Sequence, residues 1–352
     1  MNTLSRRGFL AASAAALAAA QLPRAVMAQA AAPLGLSAET RTLDINGRAA
    51  KVFGLAGPRG QGLVLDPGQR FRVDLANNLD IGTIIHWHGQ IPPNEQDGVP
   101  DMPLPLLQPG ETRSYDFAPL AGTYWMHSHV PIQEMNLLAA PLIVRSAEDV
   151  AADRQEVTLF LHDFAFKMPE EIMAEILGGH GGGHGAGHGD GSGAQPMQGM
   201  DHGARGNMPM GGMMGMGGMT MDLNDYDWDA YLTNDRTLSD PDVIRVERNG
   251  HVRLRIVNAA AATVFWIDTG AAQARLVAAD GHGVQPLSGT RFGLAMGQRL
   301  DLEMDLPNEG GAWPILALRE GAREQTGLIL ATQGADVRRI DSVAETEAPA
   351  FD

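Results

Sequence analysis

The chain has 352 residues, with 26 Lys or Arg against 42 Asp or Glu and a formal net charge of −16 at pH 7. This negative charge excludes a protein that binds nucleic acid through a basic surface. The chain contains no cysteine, which excludes a disulfide framework and any site that needs a thiolate from this chain.

The N-terminal 30 residues have the pattern of an export signal. Ser5-Arg6-Arg7-Gly8-Phe9-Leu10 precedes an apolar, Ala-rich segment that runs to Ala20, and small residues suited to cleavage follow at 26–30. The paired arginines predict export to the periplasm by the twin-arginine route. Because an apolar run of about a dozen residues is too short to span a bilayer, we do not expect a membrane-spanning protein.

Residues 35–147 have the pattern of a β-sandwich. Short runs of β-branched and aromatic residues alternate with turns that contain Pro and Gly, which is typical of packed antiparallel sheets. We predict strands at 41–45, 51–55, 70–75, 83–87, 112–117, 122–127 and 140–144.

Two His-x-His pairs lie on predicted strands of this domain, His86-Trp87-His88 and His127-Ser128-His129. Residues i and i+2 of a strand point to the same face, about 6.5 Å apart along the strand. This spacing is wide for the chelation of one ion but suits two imidazoles that bind neighbouring metals. One such pair alone would be an incidental surface or core feature, whereas two pairs predict a multinuclear metal site.

Residues 150–335 predict a second all-β domain, interrupted by an insert at 178–221. Its predicted strands are 157–161, 242–246, 252–257, 263–267, 274–277 and 299–304. Three more histidines, His162, His251 and His282, lie at a strand end or near turn glycines, and we interpret them as turn or packing residues. Residues 336–352 are acidic and contain Pro and Ala, which favours a linker or a truncated tail.

The insert is rich in Gly, His and Met, and nine of the 18 methionines lie between Met197 and Met221. Glycine at this density cannot form a packed core, so we expect a disordered segment. Thioether sulfur suits Cu(I) and imidazole suits Cu(II), which predicts copper capture, with a plain spacer as the alternative. The candidate auxiliary ligands are His180, His184, His188, His202, Met208, Met210, Met213, Met214, Met216, Met219 and Met221.

Three motifs carry a family resemblance: His86-Trp87-His88-Gly89, Asp97-Gly98-Val99-Pro100 and Gly122-Thr123-Tyr124-Trp125-Met126-His127-Ser128-His129. They resemble the first domain of multicopper oxidases of the laccase and copper-resistance type, and the similarity extends at domain level from about Leu43 to Ala331. The resemblance implies two cupredoxin-like Greek-key sandwiches and copper as the cofactor. The insert also resembles the Met-rich inserts of periplasmic copper-tolerance oxidases, which gather Cu(I).

The resemblance also implies roles for individual residues. His86 would bind the type 2 copper, and His88, His127 and His129 would bind the two type 3 coppers. Asp97 lies where the related oxidases carry an acid that relays protons near the cluster, although an ordinary Asp-Gly turn is the alternative. The second domain carries no cluster ligands in this family and acts as a spacer.

The sequence departs from the family pattern because the family uses eight histidines for the trinuclear cluster and a Cys with two His for a type 1 copper. Here four clustered histidines are present and cysteine is absent, which predicts half of the cluster's ligands and no type 1 site. We therefore expect that the third cupredoxin domain is missing, through truncation, a frameshift or a split gene, and that the chain is inactive alone.

Two hypotheses of different classes follow. In the first, the chain is the N-terminal portion of a periplasmic oxidase of Cu(I) or phenolic substrates that reduces dioxygen to water. Dioxygen and the reductant would be partners of the complete enzyme only, in which a separate chain supplies the third cupredoxin domain. In the second, the chain is a non-catalytic periplasmic protein that sequesters copper ions through the insert and the four-histidine half-site.

Overall fold

The computed structural model describes residues 32–172, 174 and 226–351, and this part of the chain is dominated by strands. The predicted signal segment at 1–30 and the insert at 178–221 lie outside the described residues. Short helices connect some strands: a 3₁₀-helix at Asn94–Gln96, α1 at Pro131–Met135 and α2 at Ala147–Ala151. No helix within the described ranges is both long and apolar enough to cross a membrane.

Residues 34–144 form two sheets that pack face to face, which we call the first sandwich. Its strands are β1 (Leu34–Ile45), β2 (Arg48–Gly57), β3 (Gly60–Gln61), β4 (Leu63–Leu65), β5 (Phe71–Asn77), β6 (Ile85–His88), β7 (Thr112–Phe117), β8 (Gly122–Ser128) and β9 (Ala139–Val144). One sheet has the order β3-β2-β1-β5-β7 and the other β4-β9-β8-β6. Because β6 lies at one end of its sheet, it is an edge strand.

Alternation of apolar and polar residues builds the core of the first sandwich. In β5, Phe71, Val73 and Leu75 are fully buried, whereas the residues between them are partly exposed. Trp87 of β6 is also fully buried, and its ring centroid lies 4.7 Å from that of Phe71. The period-two pattern expected of strands therefore places one face of each strand in the core.

Residues 155–332 contribute the strands of the second sandwich. These are β10 (Gln155–Phe164), β11 (Ala230–Thr233), β12 (Val243–Val246), β13 (His251–Asn258), β14 (Phe265–Asp268), β15 (Ala274–Ala279), β16 (His282–Gly289), β17 (Arg291–Leu294), β18 (Arg299–Asp305), β19 (Ala312–Arg319) and β20 (Gln325–Thr332). Its sheets have the orders β11-β10-β13-β18-β15-β16 and β12-β20-β19-β14-β17. The all-β prediction is confirmed, and every strand predicted from the sequence overlaps an observed one.

A buried cation joins the two sandwiches. Arg255 of β13 is fully buried, and its Nη1 donates to Thr123 Oγ1 of the first sandwich at 3.0 Å and to Asp301 Oδ2 at 3.2 Å. Its Nε and Nη2 donate to the two carboxylate oxygens of Glu156 at 2.9 and 3.1 Å. Thr123 Oγ1 in turn donates to Asp301 Oδ1 at 2.5 Å. This network satisfies a charge that would otherwise be costly to bury.

The segment at 336–352, predicted to be a linker or a truncated tail, makes contacts with the second sandwich. Gln325 N donates to Ser342 O at 2.9 Å and Ala348 N donates to Ala322 O at 2.7 Å. The Phe351 ring stacks on Trp266 with centroids 4.2 Å apart. Backbone bonds and one aromatic stack therefore hold this segment along the second sandwich.

Candidate metal centre

The antiparallel pairing of β6 with β8 sets the positions of three histidines. His86 lies directly opposite His127, and His88 lies directly opposite Trp125. These side chains share one face of the sheet, while Trp87 and Met126 point into the core and are fully buried. His129 follows the end of β8 and is exposed. The two sequence motifs thus meet on one face beside an edge strand.

The four imidazole rings lie close together. The ring centroid of His86 lies 5.7 Å from that of His88, 5.6 Å from that of His127 and 4.8 Å from that of His129. His127 lies 5.4 Å from His88 and 5.1 Å from His129. The structure therefore brings together all four histidines that the motifs single out.

Hydrogen bonds to Nδ1 orient two of the rings. His86 Nδ1 lies 2.9 Å from Asp97 O, and His127 Nδ1 lies 3.1 Å from Ser128 O. A carbonyl only accepts, so each Nδ1 carries the hydrogen and each Nε2 keeps a lone pair. Carboxylates lie near the same nitrogens, with Asp97 Oδ1 3.3 Å from His86 Nδ1 and Glu134 Oε1 3.3 Å from His127 Nδ1. Such carboxylate–histidine contacts fix the tautomer that leaves Nε2 available to a metal.

Burial favours the neutral form of three imidazoles of the cluster, those of His86, His88 and His129, because it lowers the pKa of each. Loss of hydration lowers the pKa of His86, although Asp97 acts in the opposite direction. Loss of hydration is also the largest cause that lowers the pKa of His129. Burial, followed by the positive charge of Arg299, lowers the pKa of His88 to about 3. A neutral imidazole has the lone pair that metal binding requires.

Trp125 and a loop of the second sandwich cover the inner side of the cluster. The Trp125 ring stacks on His127 and on His88, with centroids 4.2 and 4.9 Å apart. A Cβ built on Gly297 would lie 3.3 Å from His88 Cε1, so this loop approaches the imidazole closely. These contacts pack the rings of His88 and His127 against Trp125 and bring the Gly297 loop close to His88.

The Asp97-Gly98 turn lies directly against β6. Gly98 has a φ of +82°, and a Cβ at this position would lie 1.8 Å from Ile85 O. The Trp87 indole holds the turn in place, because its Nε1 donates to Gln96 O at 2.8 Å. Asp97 therefore occupies a glycine-dependent turn and also contacts a ring of the cluster, so the two interpretations drawn from the sequence are compatible.

Sequence reasoning missed Glu134, Gln133 and Trp125. Gln133 is buried and anchors α1, since its Oε1 accepts from Thr83 Oγ1 and Ser128 Oγ at 2.7 Å each and its Nε2 donates to Gly82 O at 2.8 Å. This anchor places Glu134 next to His127. The sequence did contain a signal for Glu134, because it is an acidic residue five positions after His129 in a short segment that begins with Pro131.

The three other histidines that the structure describes do not join the cluster. His162 is buried in β10, whereas His251 and His282 are exposed. His251 contacts Asp305 and His282 contacts Asp280 O. The predicted auxiliary ligands at 180–221 lie outside the described residues.

The donor set fits a copper ion. One ligand atom from each of His86, His127 and His129 lies within 4.8 Å of the other two, and His88 Nδ1 lies 3.3 Å from His127 Nε2. Metal–imidazole bonds are about 2 Å long, so small ring rotations would let one ion contact several of these nitrogens. Imidazole suits copper, and paired carboxylates behind the rings would raise ligand basicity.

Comparison with known proteins identifies relatives across most of the chain. Two family models described as multicopper oxidase match residues 40–149 and 207–335. Multicopper oxidase MmcO of Mycobacterium tuberculosis is 27% identical over 269 residues, which cover 75% of this chain and 49% of that protein. Copper resistance protein A of Escherichia coli is 28% identical over 284 residues, which cover 79% of this chain and 45% of that protein. The chain thus spans about half the length of these curated relatives.

A solved structure is similar in fold. The blue copper oxidase of Nitrosomonas europaea superposes with a TM-score of 0.61 at 21% identity, and the match covers 85% of each chain. This likeness confirms the predicted pair of cupredoxin-like sandwiches.

Proposed function

The chain belongs to the multicopper oxidase family, and on that premise we propose that its four clustered histidines form half of a trinuclear copper site. In this assignment His86 binds the type 2 copper, and His88, His127 and His129 bind the type 3 pair. The observation that supports it is the convergence of the four rings on one face beside the edge strand β6. Copper bound there would supply one-electron redox chemistry.

The residues around the cluster would orient its rings and hold a proton near them. The backbone carbonyls of Asp97 and Ser128 hold Nδ1–H of His86 and His127, which directs Nε2 of each ring to the metal side. Trp125 holds the ring planes of His88 and His127 by stacking. The Asp97 carboxylate is partly exposed, and its Oδ1 lies 3.3 Å from His86 Nδ1. It is therefore placed to hold a proton between solvent and the cluster.

We propose further that this half-site is inactive until other ligands complete it. The sequence has no cysteine, so electrons from a reductant have no thiolate-bound type 1 copper in this chain. A further cupredoxin domain, supplied as a separate chain, would contribute the missing histidines and the thiolate. The complete assembly would oxidise Cu(I) or phenolic compounds and reduce dioxygen to water. The twin arginines at Arg6 and Arg7 support a periplasmic location.

Complementation tests the oxidase proposal. The full chain is co-expressed with a cupredoxin domain that carries a type 1 site and the second set of histidines, and copper content, thiolate–copper absorption and oxygen uptake are measured. We expect oxygen uptake from the complex and none from either part. His127→Ala should abolish uptake, whereas the exposed control His282→Ala should retain it. Oxygen uptake by the isolated chain would contradict the proposal, as would an inert complex with full copper content.

Copper sequestration is the second candidate, and the nine methionines between Met197 and Met221 favour it. Soft thioethers bind Cu(I), and a protein with half a cluster can store metal without turnover. Anaerobic Cu(I) titration should show several equivalents bound to the full chain. Deletion of residues 178–221 should remove most of that capacity while leaving the histidine cluster intact. Unchanged Cu(I) capacity after the deletion would exclude this role for the insert.

A further inference from the structure

His88 is held differently from the two rings that bond to carbonyls. Nδ1 of His86 and of His127 contacts the carbonyl of Asp97 or Ser128. In the part of the chain that the structure describes, the His88 ring makes no such contact with a carbonyl or a carboxylate. Its Nδ1 lies 3.3 Å from His127 Nε2 instead. The orientation of the His88 ring, with Nδ1 towards the cluster, therefore depends on packing.

A turn of the second sandwich packs against the His88 ring. A Cβ built on Gly297 would lie 3.3 Å from Cε1 and 3.7 Å from Nε2 of His88, and 3.9 Å from Cζ2 of Trp125. Trp125 also stacks on His88, with ring centroids 4.9 Å apart. Gly297 has a φ of +73°, a conformation that favours glycine. Trp125 and the Gly297 backbone together therefore confine the ring.

Hydrogen bonds fix the Gly297 turn in place. Gly297 N donates to Asn258 O at the end of β13 at 2.9 Å, and Gln298 N donates to Ala295 O at 3.1 Å. Gly297 O accepts from Arg299 Nη1 at 3.0 Å. The turn is thus attached to β13 through its amide and to Arg299 through its carbonyl.

Arg299, the first residue of β18, is buried between the two sandwiches. Its Nε donates to Thr123 O of the first sandwich at 3.4 Å, and its Nη2 donates to Asp280 O of the second at 3.0 Å. A Cβ built on Gly89, the residue after His88, would lie 2.5 Å from Arg299 Nη2. The guanidinium therefore lies against the backbone that follows His88 and also holds the turn that packs on its ring.

We propose that Arg299 is a positioning residue of the copper half-site, which acts through Gly89 and the Gly297 turn to hold His88 Nδ1 towards the other imidazoles. The second sandwich is then part of the metal site, although its described residues supply no ligand. Residues behind the ligands of a metal site commonly set ligand orientation and affinity in this way. The inference rests on the proposed function, since it assigns a further residue to the same site. No covalent or redox step is involved.

Copper affinity tests the role of Arg299. Cu(II) is titrated into the full chain in competition with a chelator of known affinity. Arg299→Met removes the guanidinium, so the affinity should fall about tenfold or more. The control Arg275→Met, which loses a surface pair with Glu303, should bind as the wild type. Equal affinities of the two arginine variants overturn the proposal.

A double-mutant cycle separates positioning from a general loss of structure. If Arg299 acts through His88, Arg299→Met should cause no further loss of copper affinity in a chain that already carries His88→Ala. In a chain that carries His129→Ala, the same substitution should keep its tenfold effect. A tenfold effect of Arg299→Met in the His88→Ala background overturns the proposal.

Glycine substitutions give an independent test. Gly297→Ala places a methyl group 3.3 Å from His88 Cε1 at a φ of +73°. Gly270→Ala is the matched control, because its φ is +62° and no atom lies within 4 Å of its added Cβ. Both variants should lose similar stability, but only Gly297→Ala should bind copper about tenfold more weakly. Equal copper affinities of the two variants overturn the proposal even if Arg299→Met fails to fold.

The metal-free protein gives a readout that does not depend on copper. The ring signals of His88 are followed by NMR after ¹⁵N-histidine labelling and are assigned by their loss in His88→Ala. They should be shifted or broadened in Arg299→Met and unchanged in Arg275→Met, and unchanged signals in both variants overturn the proposal. That result would leave the proposed copper site standing. Conversely, a wild type that binds copper no better than His127→Ala would contradict the proposed function, while the NMR signals would still report the positioning of His88.

Discussion

The two sandwiches share an architecture but use their histidines differently. In the first, His86 and His127 lie opposite each other on paired strands, and His88 and His129 follow two residues later. In the second, His162 is buried alone on β10, and His251 and His282 lie exposed at the starts of β13 and β16.

The difference shows that the partners of a histidine on a strand depend on which residue lies opposite it on the neighbouring strand. Two pairs in matching register bring four rings within contact distance, whereas single histidines at unmatched positions find backbone carbonyls or carboxylates as partners. In this chain the convergence of four rings thus depends on paired motifs on adjacent strands, and the second sandwich has no such pair among its described residues.

The largest expected effect concerns the junction of the two regions. Arg255→Met removes the buried cation and leaves Glu156 and Asp301 without it, so the free energy of unfolding should fall by about 3–5 kcal/mol. The measurement is urea unfolding at pH 7, followed by tryptophan fluorescence. The exposed control Arg275→Met, which loses a surface pair with Glu303, should cost about 1 kcal/mol or less. A similar loss of unfolding free energy in both variants would show that the Arg255 network stabilises the fold no more than a surface ion pair does.

The next effect is confined to the first sandwich. Gly98→Ala places a methyl group 1.8 Å from Ile85 O at a φ of +82°, which should destabilise the fold by about 3 kcal/mol and displace Asp97 from His86. Thermal unfolding and copper titration measure the two consequences. Gly283→Ala in the second sandwich is the matched control, because no atom lies within 4 Å of its added Cβ. Copper binding of Gly98→Ala equal to that of the control would contradict the assigned role of the turn.

Lowering the pH should destabilise the fold through His162, the buried histidine of the second sandwich. The unfolded imidazole takes up a proton near its usual pKa of 6.5, whereas folded His162 stays neutral down to about pH 4. The unfolded state therefore binds more protons, and stability falls as the pH is lowered. Between pH 7 and pH 5 the wild type should lose about 2 kcal/mol more than His162→Phe. Denaturant unfolding at the two pH values measures this, with exposed His282→Phe as the control that should follow the wild type.

The smallest expected effect is on metal affinity. Glu134→Gln keeps the side-chain size but removes the charge 3.3 Å from His127 Nδ1, so copper affinity should fall about tenfold without a change in stability. Competition titration with a chelator of known affinity measures the loss, and Glu247→Gln, at an exposed position, should bind as the wild type. Identical affinities in the two variants would remove Glu134 from the site.

Local patterns predicted much of the first sandwich. Its seven predicted strands overlap observed strands, and only the two short strands β3 and β4 were missed. In the second sandwich β11, β16, β17, β19 and β20 were missed. Nearly the whole of β16 is exposed and shows no alternation of burial, while β20 is buried on both faces, so neither strand has the period-two pattern that identifies half-buried strands.

The sequence singled out the four histidines that converge in the structure, but not the residues around them. Trp125 was recognised as part of a strand but not as the ring stacked on His88 and His127, and Glu134 gave no motif. Arg299 and Gly297 reach His88 from the other sandwich, about 200 residues along the chain. Contacts between residues this far apart in the sequence depend on how the sheets pack, which local sequence patterns do not show.

The sequence by itself determined the all-β class, the absence of a thiolate and the fact that each His-x-His pair presents two rings on one face. These follow from composition and from the two-residue period of a strand, which are local properties. Only the tertiary structure decided that His86 lies opposite His127, that Glu134 lies behind His127 and that the buried Arg255 joins the two sandwiches. Register and sheet packing depend on the balance of burial over the whole core, so they appear only when distant segments meet.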